Sequence, residues 1–456
     1  LTTRIDPFQK LSIYSWLYVM VLFLFKLPFR CAEVEMLLRR IGTTARASRL
    51  LSTVLGIETS CDDTAVAIVR SDGHVLSSAS FADRETQTRL GGILPAHSAQ
   101  QHRVLLPRLV EECLASARVR LGDMDAISVS TRPGMVVALK EGARHALHLA
   151  RSSRRPLLLV HHMRAHALVS TLVHKDIRFP FLALLISGGH SLIVVVYSSE
   201  RFEVLGRSDS GSAGECFDKI GRDLFHLDQV NVHPGAELER KAKGCSSNGH
   251  LRYAVGGVSS SGPTNFNFSG LRSALIQALR RNRSDLDFSE EDFAATTQHH
   301  IARHLCTRLH AALCFLREGA LVEEEGSPPM TDLVVAGGVA ANRYLFSCIR
   351  KVCNVHSVRA LSLPPSLCTD NAVMVAWTAL LMMEQGTSDM ILKQELPPSI
   401  YVHARAEIGK DRTGEVPRQQ RTLLKRSSIH DGPEPIKLHN KDDYRRLAAE
   451  GQGIGD

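Results

Sequence analysis

The feature that most constrains this chain is that its folded part opens twice in the same way. A short β-branched run at Thr53–Ile57 (TVLGI) leads into a polar turn, Glu58–Asp63 (ETSCDD). A second apolar run follows at Ala65–Val69 (AVAIV), and Ser71–Gly73 supplies a hairpin signal. After Pro180 the order returns: an apolar run at Phe181–Ile186, a tight Ser187–His190 turn around two glycines, and another run at Leu192–Tyr197. Further strands are predicted at Ala126–Ser130, Leu157–Val160 and Leu333–Ala336. Helices are predicted over Ser98–Ala117 and Ala138–Ala150, and again near Glu215–Leu224 and Phe293–Phe315. The last strong helix, Asn371–Glu384, is stopped at Gly386. Strands and helices repeated in this order predict a duplicated α/β unit with a cleft between two lobes. The length agrees, since 456 residues exceed what one hydrophobic core normally holds.

The net charge of +8 resembles a nucleic-acid signal, but its distribution weakens it. Residues 1–52 carry 8 Lys and Arg against 3 Asp and Glu, and residues 403–456 carry 11 against 9, which leaves about +1 for 53–402. Any RNA site must therefore be a local patch. The ten cysteines are scattered and form no CxxC pair, which points to a reducing compartment with buried thiols.

The ends divide from the folded part by composition. Leu11–Phe25 is an apolar run, shorter than the ~20 residues a membrane span needs. It suits a signal-peptide core in length, but no small-x-small cleavage site follows. From Met36 the sequence MLLRRIGTTARASRLLS is rich in Arg and hydroxyl residues and free of acids, which is the pattern of a mitochondrial transit segment. The expected organisation is an apolar upstream extension at 1–35, a transit segment at 36–52, lobes at 53–178 and 179–402, and a loose charged tail at 403–456. The expected location is the mitochondrial matrix, with no stable membrane partner.

Four segments carry side chains suited to chemistry. His162 and His166 are four apart in a helical pattern, so both imidazoles lie on one face, as metal ligands require. His161 points about 100° away. In a chain with 21 histidines the spacing equally suits a helix whose histidines serve packing alone. Ser187, Gly188, Gly189, His190 and Ser191 sit between two strands, where glycines allow positive φ and the close approach of an anion to backbone N–H groups. A plain hairpin turn fits the same residues. Gly337-Gly338 with Asn342 lies between a strand and a helix N-terminus, where a nucleotide can approach and Asn342 can bond a base or ribose. Asp370 precedes the last helix, as an N-cap or as a carboxylate completing a His-His-Asp site with open positions.

Taken together, LGIETSCDD, Pro133-Gly134, HHMRAH, LLISGGHS, ECFDK, FNFSGL, AGGVAANR and CTDNAVM occur in an order that resembles the universal tRNA threonylcarbamoyladenosine synthesis transferases, in their bacterial and mitochondrial form. The resemblance covers about residues 53–400. It implies an actin-like, sugar-kinase-type α/β fold of two duplicated lobes around a cleft. It implies transfer of the threonylcarbamoyl group from threonylcarbamoyl-AMP to N6 of adenosine 37 in tRNAs reading codons that begin with A. His162, His166 and Asp370 would hold one divalent ion, iron or zinc. Ser187 to Ser191 would bind the threonylcarbamoyl and phosphate end of the donor. Asp218, Gly235 and Glu239 would contact the nucleotide sugar, and Asn342 the adenine side. Asp62 and Asp63 fall where the family carries an acidic pair facing the cleft, and they are the expected proton acceptors. A homodimer is implied as well.

The chain departs from the family pattern at three places. Arg164 stands inside the His pair where Glu is usual, and Arg132 replaces the first Gly of Gly-Pro-Gly. Pro234-Gly235-Ala236 replaces Pro-Gly-Gly, with extra residues before it. The two arginines motivate the alternative expectation, a noncatalytic paralogue that binds tRNA or partner proteins. A metallopeptidase is disfavoured because no HExxH occurs; Met163 follows His162. A sugar kinase is disfavoured by the His pair with its final Asp. An O-carbamoyltransferase is disfavoured by the lack of appended carbamoyl-phosphate domains.

Overall fold

Two sheets of matching topology organise the protein. The computed structural model describes residues 51–89, 92–225, 233–317 and 330–417. The upstream extension, nearly all of the expected transit segment and residues 418–456 lie outside the described residues. From Ser52 onward the chain clusters as one compact unit.

The first sheet is built on β1 (Thr53–Glu58), β2 (Thr64–Arg70), β3 (Val75–Phe81), β4 (Ala126–Arg132) and β5 (Leu157–His161). β1 runs antiparallel to β2 and parallel to β4; β2 pairs antiparallel with β3, and β4 parallel with β5. The second sheet repeats this with β6 (Phe181–Ile186), β7 (Ser191–Val196), β8 (Phe202–Ser210), β10 (Asp332–Ala336) and β11 (Arg359–Ser362), after a two-residue β9 (Phe266–Asn267) that joins the edge of β8. β6 is antiparallel to β7 and parallel to β10, β7 is antiparallel to β8, and β10 is parallel to β11. The two strand–turn–strand openings of the sequence are thus equivalent hairpins of equivalent sheets, the actin-like arrangement.

The helices are α1 (Arg84–Arg89), α2 (Pro95–Ala117), α3 (Val136–Ser153), α4 (His162–Leu168), α5 (Ser170–Val173), α6 (Ala213–Phe225), α7 (Pro234–Ala242), α8 (Phe268–Asn282), α9 (Glu290–Arg317), α10 (Arg343–Val355), α11 (Pro365–Cys368) and α12 (Ala372–Gln385). None among the described residues is long and apolar enough to cross a membrane.

Strand alternation sorts the first sheet's side chains onto two faces. Leu55, Ile57, Val66 and Ile68 point to a core completed by Leu106, Leu109 and Val110 of α2 and Ala146, Leu147 and Ala150 of α3. Val54, Ala65, Ala67 and Val69 point the other way, into the larger core that continues to the second sheet. The residues on that second face are small, and this lets α12 lie across β1 and β2. At Gly56 the approach is closest: a Cβ there would stand 2.6 Å from the Ala372 carbonyl oxygen and 2.7 Å from the Ala376 nitrogen.

The C-terminal part differs from expectation. The chain does not end its structure in the second lobe. α12 returns to the first sheet, β12 (Met390–Ile391) pairs with β5, and Leu396 and Ile400 pack on the α2–α3 core. Residues 403–417 are not a loose tail: β13 (Lys410–Asp411) pairs with β8, and Ile408 and Val416 are buried. Arg405, Glu407, Lys410 and Asp411 stay exposed, while Ile408, Val416 and a largely buried Arg412 paired with Glu203 at 3.2 Å anchor the segment.

Candidate metal centre

α4 starts where β5 ends, so His162 is its first residue and His166 lies one turn on. Both imidazoles are buried, with ring centroids 4.7 Å apart and planes at 87°. Asp370 reaches them from the turn before α12. Its Oδ1 stands 3.1 Å from His166 Nε2 and 3.5 Å from His162 Nε2. The cap of α12 falls to Asn371, whose side chain accepts from the Met374 N–H at 2.9 Å. The Asp370 carboxylate is thereby released from helix capping and faces the histidines. One donor atom from each of the three residues lies within 4.8 Å of the others.

Behind the triad stands Glu58, the fully buried last residue of β1. Its Oε1 accepts from the Ser60 N–H at 2.6 Å, and its Oε2 accepts from the Nδ1–H of His162 at 3.3 Å. An ionised carboxylate only accepts, so beside Glu58 the proton belongs on Nδ1, which the Ser60 hydroxyl oxygen also meets at 3.1 Å, and the His162 Nε2 faces Asp370. Burial works against a charge on His162, but the Asp370 and Glu58 carboxylates outweigh it and hold the imidazole up to about 9. Burial likewise works against Asp370, yet the charge of His162 and the hydrogen bond from His166 keep its carboxyl well below the usual range. Glu58 is lowered against the same burial by His162. The pocket therefore stabilises positive charge between two carboxylates. Two imidazoles, a carboxylate and a carboxylate behind one imidazole fit a divalent cation of the iron or zinc class. His161 closes β5 outside this group; burial first, then the charges of Arg164 and Arg132, push it down to about 3.

The second sheet faces the same place through its β6–β7 turn. His190 is pushed down to about 4, by burial and then by the charges of His162 and His166. The Ser187 hydroxyl accepts from the N–H groups of Gly189 (3.3 Å) and His190 (3.1 Å), so these amides are held within the turn. Gly188 and Gly189 are not at positive φ, contrary to expectation. Both are exposed, with open space where a Cβ would stand. Ser191 is buried and accepts from the Ala213 N–H at 3.2 Å.

The expected nucleotide residues gather around α6, α7 and α10. Asp218 accepts from the Gly235 N–H at 3.2 Å, and Glu239 from the Arg343 N–H at 3.1 Å. Asn342 caps α10 through the Leu345 N–H (3.0 Å) and donates to Gln298 (2.9 Å), a partner absent from the sequence reading. The adjacent Gly337 is the one glycine of its pair at positive φ (+95°), with the Ile186 carbonyl 2.4 Å from where a Cβ would be.

Asp62 and Asp63 form an acidic pair bridged by Arg84, at 2.9 Å and 3.0 Å. Burial raises the Asp63 carboxyl to about 7; Arg84 opposes this, and the charges of Asp62 and Asp370 add to it. Glu58, Arg84 and His190 complete the surroundings. Only tertiary structure brings Glu58 to the triad and Arg84 to the acidic pair.

Comparison with known proteins decides the family. The model of the tRNA N6-adenosine threonylcarbamoyltransferases, TsaD, matches residues 74–377. The chain belongs to this family. It is 43% identical over 398 residues to the probable mitochondrial tRNA N6-adenosine threonylcarbamoyltransferase of Caenorhabditis elegans, covering 86% of this chain and 92% of the relative. It is 34% identical to the mitochondrial tRNA N6-adenosine threonylcarbamoyltransferase of Homo sapiens, covering 73% and 81%. A solved structure of HypF from T. kodakarensis superposes with a TM-score of 0.50 at 15% identity, covering 74% of this chain and 48% of that one, a likeness of fold alone. The protein is thus a mitochondrial threonylcarbamoyltransferase that modifies adenosine in tRNA.

Arg164 and Arg132 both turn away from the triad. Arg164 lies over the Phe202 ring (5.2 Å to the centroid), pairs with Glu200 at 2.9 Å and donates to the Ile408 carbonyl at 2.9 Å. Glu200 also accepts from Thr387 at 2.7 Å. Arg132 is ion-paired with Asp389. Each arginine ties the returning C-terminal segment down, and the His162–Asp370 geometry stands beside them undisturbed.

Proposed function

We propose that the enzyme transfers the threonylcarbamoyl group from threonylcarbamoyl-AMP to N6 of adenosine 37, in mitochondrial tRNAs reading codons that begin with A. The observation that carries this reading is the convergence of His162, His166 and Asp370, with Glu58 fixing the His162 tautomer. A divalent ion of the iron or zinc class held there supplies Lewis acidity toward the donor's carbonyl or phosphate oxygens.

The N6 amine of adenosine is a poor nucleophile, but the donor is a mixed carbamic–phosphoric anhydride and AMP leaves readily. No enzyme nucleophile is required. The chain's task is to hold the two substrates, keep water out and receive one proton. The Ser187–Ser191 turn holds the threonylcarbamoyl and phosphate end, where the bare backbone of Gly188 and Gly189 leaves space. Asp218, Gly235 and Glu239 hold the ribose side, and Asn342 marks the adenine side. Asp62 or Asp63 takes the N6 proton, and Asp63, raised to about 7 by burial, is matched to working pH. The working unit is a homodimer in the matrix.

The test supplies the purified full chain with threonylcarbamoyl-AMP, iron(II) or zinc and an unmodified mitochondrial tRNA, then digests the RNA for mass spectrometry. Threonylcarbamoyladenosine at position 37 is expected. Its absence with metal present defeats the reading. Turnover left intact by Asp62→Asn with Asp63→Asn removes the proton role alone.

A further inference from the structure

A second cluster of metal-ligating side chains lies outside the centre described above, at the end of α9, the longest helix among the described residues. We propose that His310, Cys314 and His356 form a second metal site, which takes a thiophilic divalent ion of zinc's class and staples α9 to α10. His310 and Cys314 are four apart on α9, so they share one face, and the His310 Nε2 stands 3.6 Å from the Cys314 Sγ. α10 packs along α9, and His356 follows its last residue. This places the His356 Nε2 2.7 Å from the His310 Nδ1, with ring centroids 4.7 Å apart. One donor atom from each residue lies within 4.8 Å of the other two. A tetrahedral ion with bonds of about 2.0–2.3 Å separates its ligands by about 3.3–3.7 Å; His310 now meets Cys314 and His356 through different nitrogens, so binding one ion requires the His356 ring to move off the His310 Nδ1 and share the ion with a single His310 nitrogen.

The chemistry favours an ion over a purely packed cluster. His310 is buried, and the Nδ1 of His356 is buried without a hydrogen-bond partner. A polar atom left so costs free energy unless the ring turns to use it. Cys314 is not in a disulfide, and it and His356 are part-exposed, which gives an ion an entry path. No carboxylate belongs to the set. Sulfur with two imidazoles selects zinc-class ions over magnesium or calcium, whereas the first centre offers nitrogen and oxygen only. Three protein ligands leave a fourth position for water.

That difference in donor atoms gives a selective test. The full chain is stripped of metal, reloaded with cobalt(II), and its near-ultraviolet absorption is recorded. A thiolate-to-cobalt charge-transfer band is expected in the wild type. It should vanish in Cys314→Ser and in His356→Ala, and persist in His166→Ala with Asp370→Ala, where the first centre is destroyed. Zinc content should fall by about one ion per chain in Cys314→Ser. Circular dichroism identifies any variant that fails to fold; His356→Ala, at a helix end, then decides. No band in the wild type, or a band that survives in folded Cys314→Ser or His356→Ala, overturns the site.

Discussion

Gly56→Ala should damage the metal centre from a distance, because β1 and α12 touch there through backbone. The new Cβ would stand 2.6 Å from the Ala372 oxygen, 2.7 Å from the Ala376 nitrogen and 2.9 Å from the Ala376 Cβ, whereas ordinary contact begins near 3.4 Å. Two of the three obstacles are main-chain atoms of α12, so no rotamer change relieves them. The helix must lift by about 0.8 Å, and a close-packed interior transmits the shift. Asp370 lies two residues before α12, with its Oδ1 at 3.1 Å and 3.5 Å from the two imidazoles. A shift of ~0.8 Å carries the shorter contact beyond hydrogen-bonding range. Overpacking costs about 1–3 kcal/mol, or about 2–12 °C of melting temperature for a domain of 150–250 residues. Loss of ligand alignment should weaken metal binding about 10–100-fold, as removal of an outer-shell partner does. Calorimetric melting and competition with a chromogenic chelator measure the two effects. Gly122→Ala is the control, since a Cβ there meets open space. If Gly56→Ala melted with the control and bound metal within about twofold of it, the claim that close β1–α12 packing positions Asp370 would be wrong.

Three further outcomes follow from the same geometry. Glu58→Gln should lower metal affinity about 10–100-fold by the same chelator assay, because Gln offers one acceptor where Ser60 N–H and His162 Nδ1–H need two; unchanged affinity would show that the tautomer is fixed otherwise. The metal-free protein should lose stability as pH rises. His162 is raised from 6.5 to about 9, so its contribution is full below 6.5 and is lost as pH climbs through about 9, which denaturant melts across that window would register. Arg164→Ala should cost about 1–3 kcal/mol and speed proteolysis near Ile408, while metal affinity stays at the wild-type value; a drop in affinity would return Arg164 to the site.

The parts of this protein legible in its sequence are those fixed by local pattern. β1, β2, β6 and β7 are buried on both faces and read as apolar runs, and the turns between them are polar or glycine-rich. β3 was not legible: its residues VLSSASF are largely exposed and carry little apolar signal. The His162–His166 spacing was visible, but Glu58 sits 104 residues from His162 and had no periodicity to mark it. Asp370 carried two readings, and only the Asn371 side chain on the Met374 amide separates them. His310 and Cys314 share a helix face in the same way as the metal pair, yet His356 is 46 residues from His310, so that cluster too had to await the fold.

The legible and illegible parts meet at α12. His162 and His166 follow the last parallel strand of the first sheet, and the β6–β7 turn with His190 belongs to the second. Asp370 belongs to neither until the chain leaves β11 and docks α12 back on β1. The centre is then complete only after both sheets exist and the return segment has crossed between them. Arg132 with Asp389, and Arg164 with Glu200 and Ile408, hold that segment on the far side of α12. Both arginines thus act beyond the C-terminal end of α12, away from the Gly56 contact and from Asp370. Loosening the N-terminal end of α12, where Gly56 meets Ala372, should reach the metal through Asp370 first, and through the histidines, fixed by Glu58 and β5, only later.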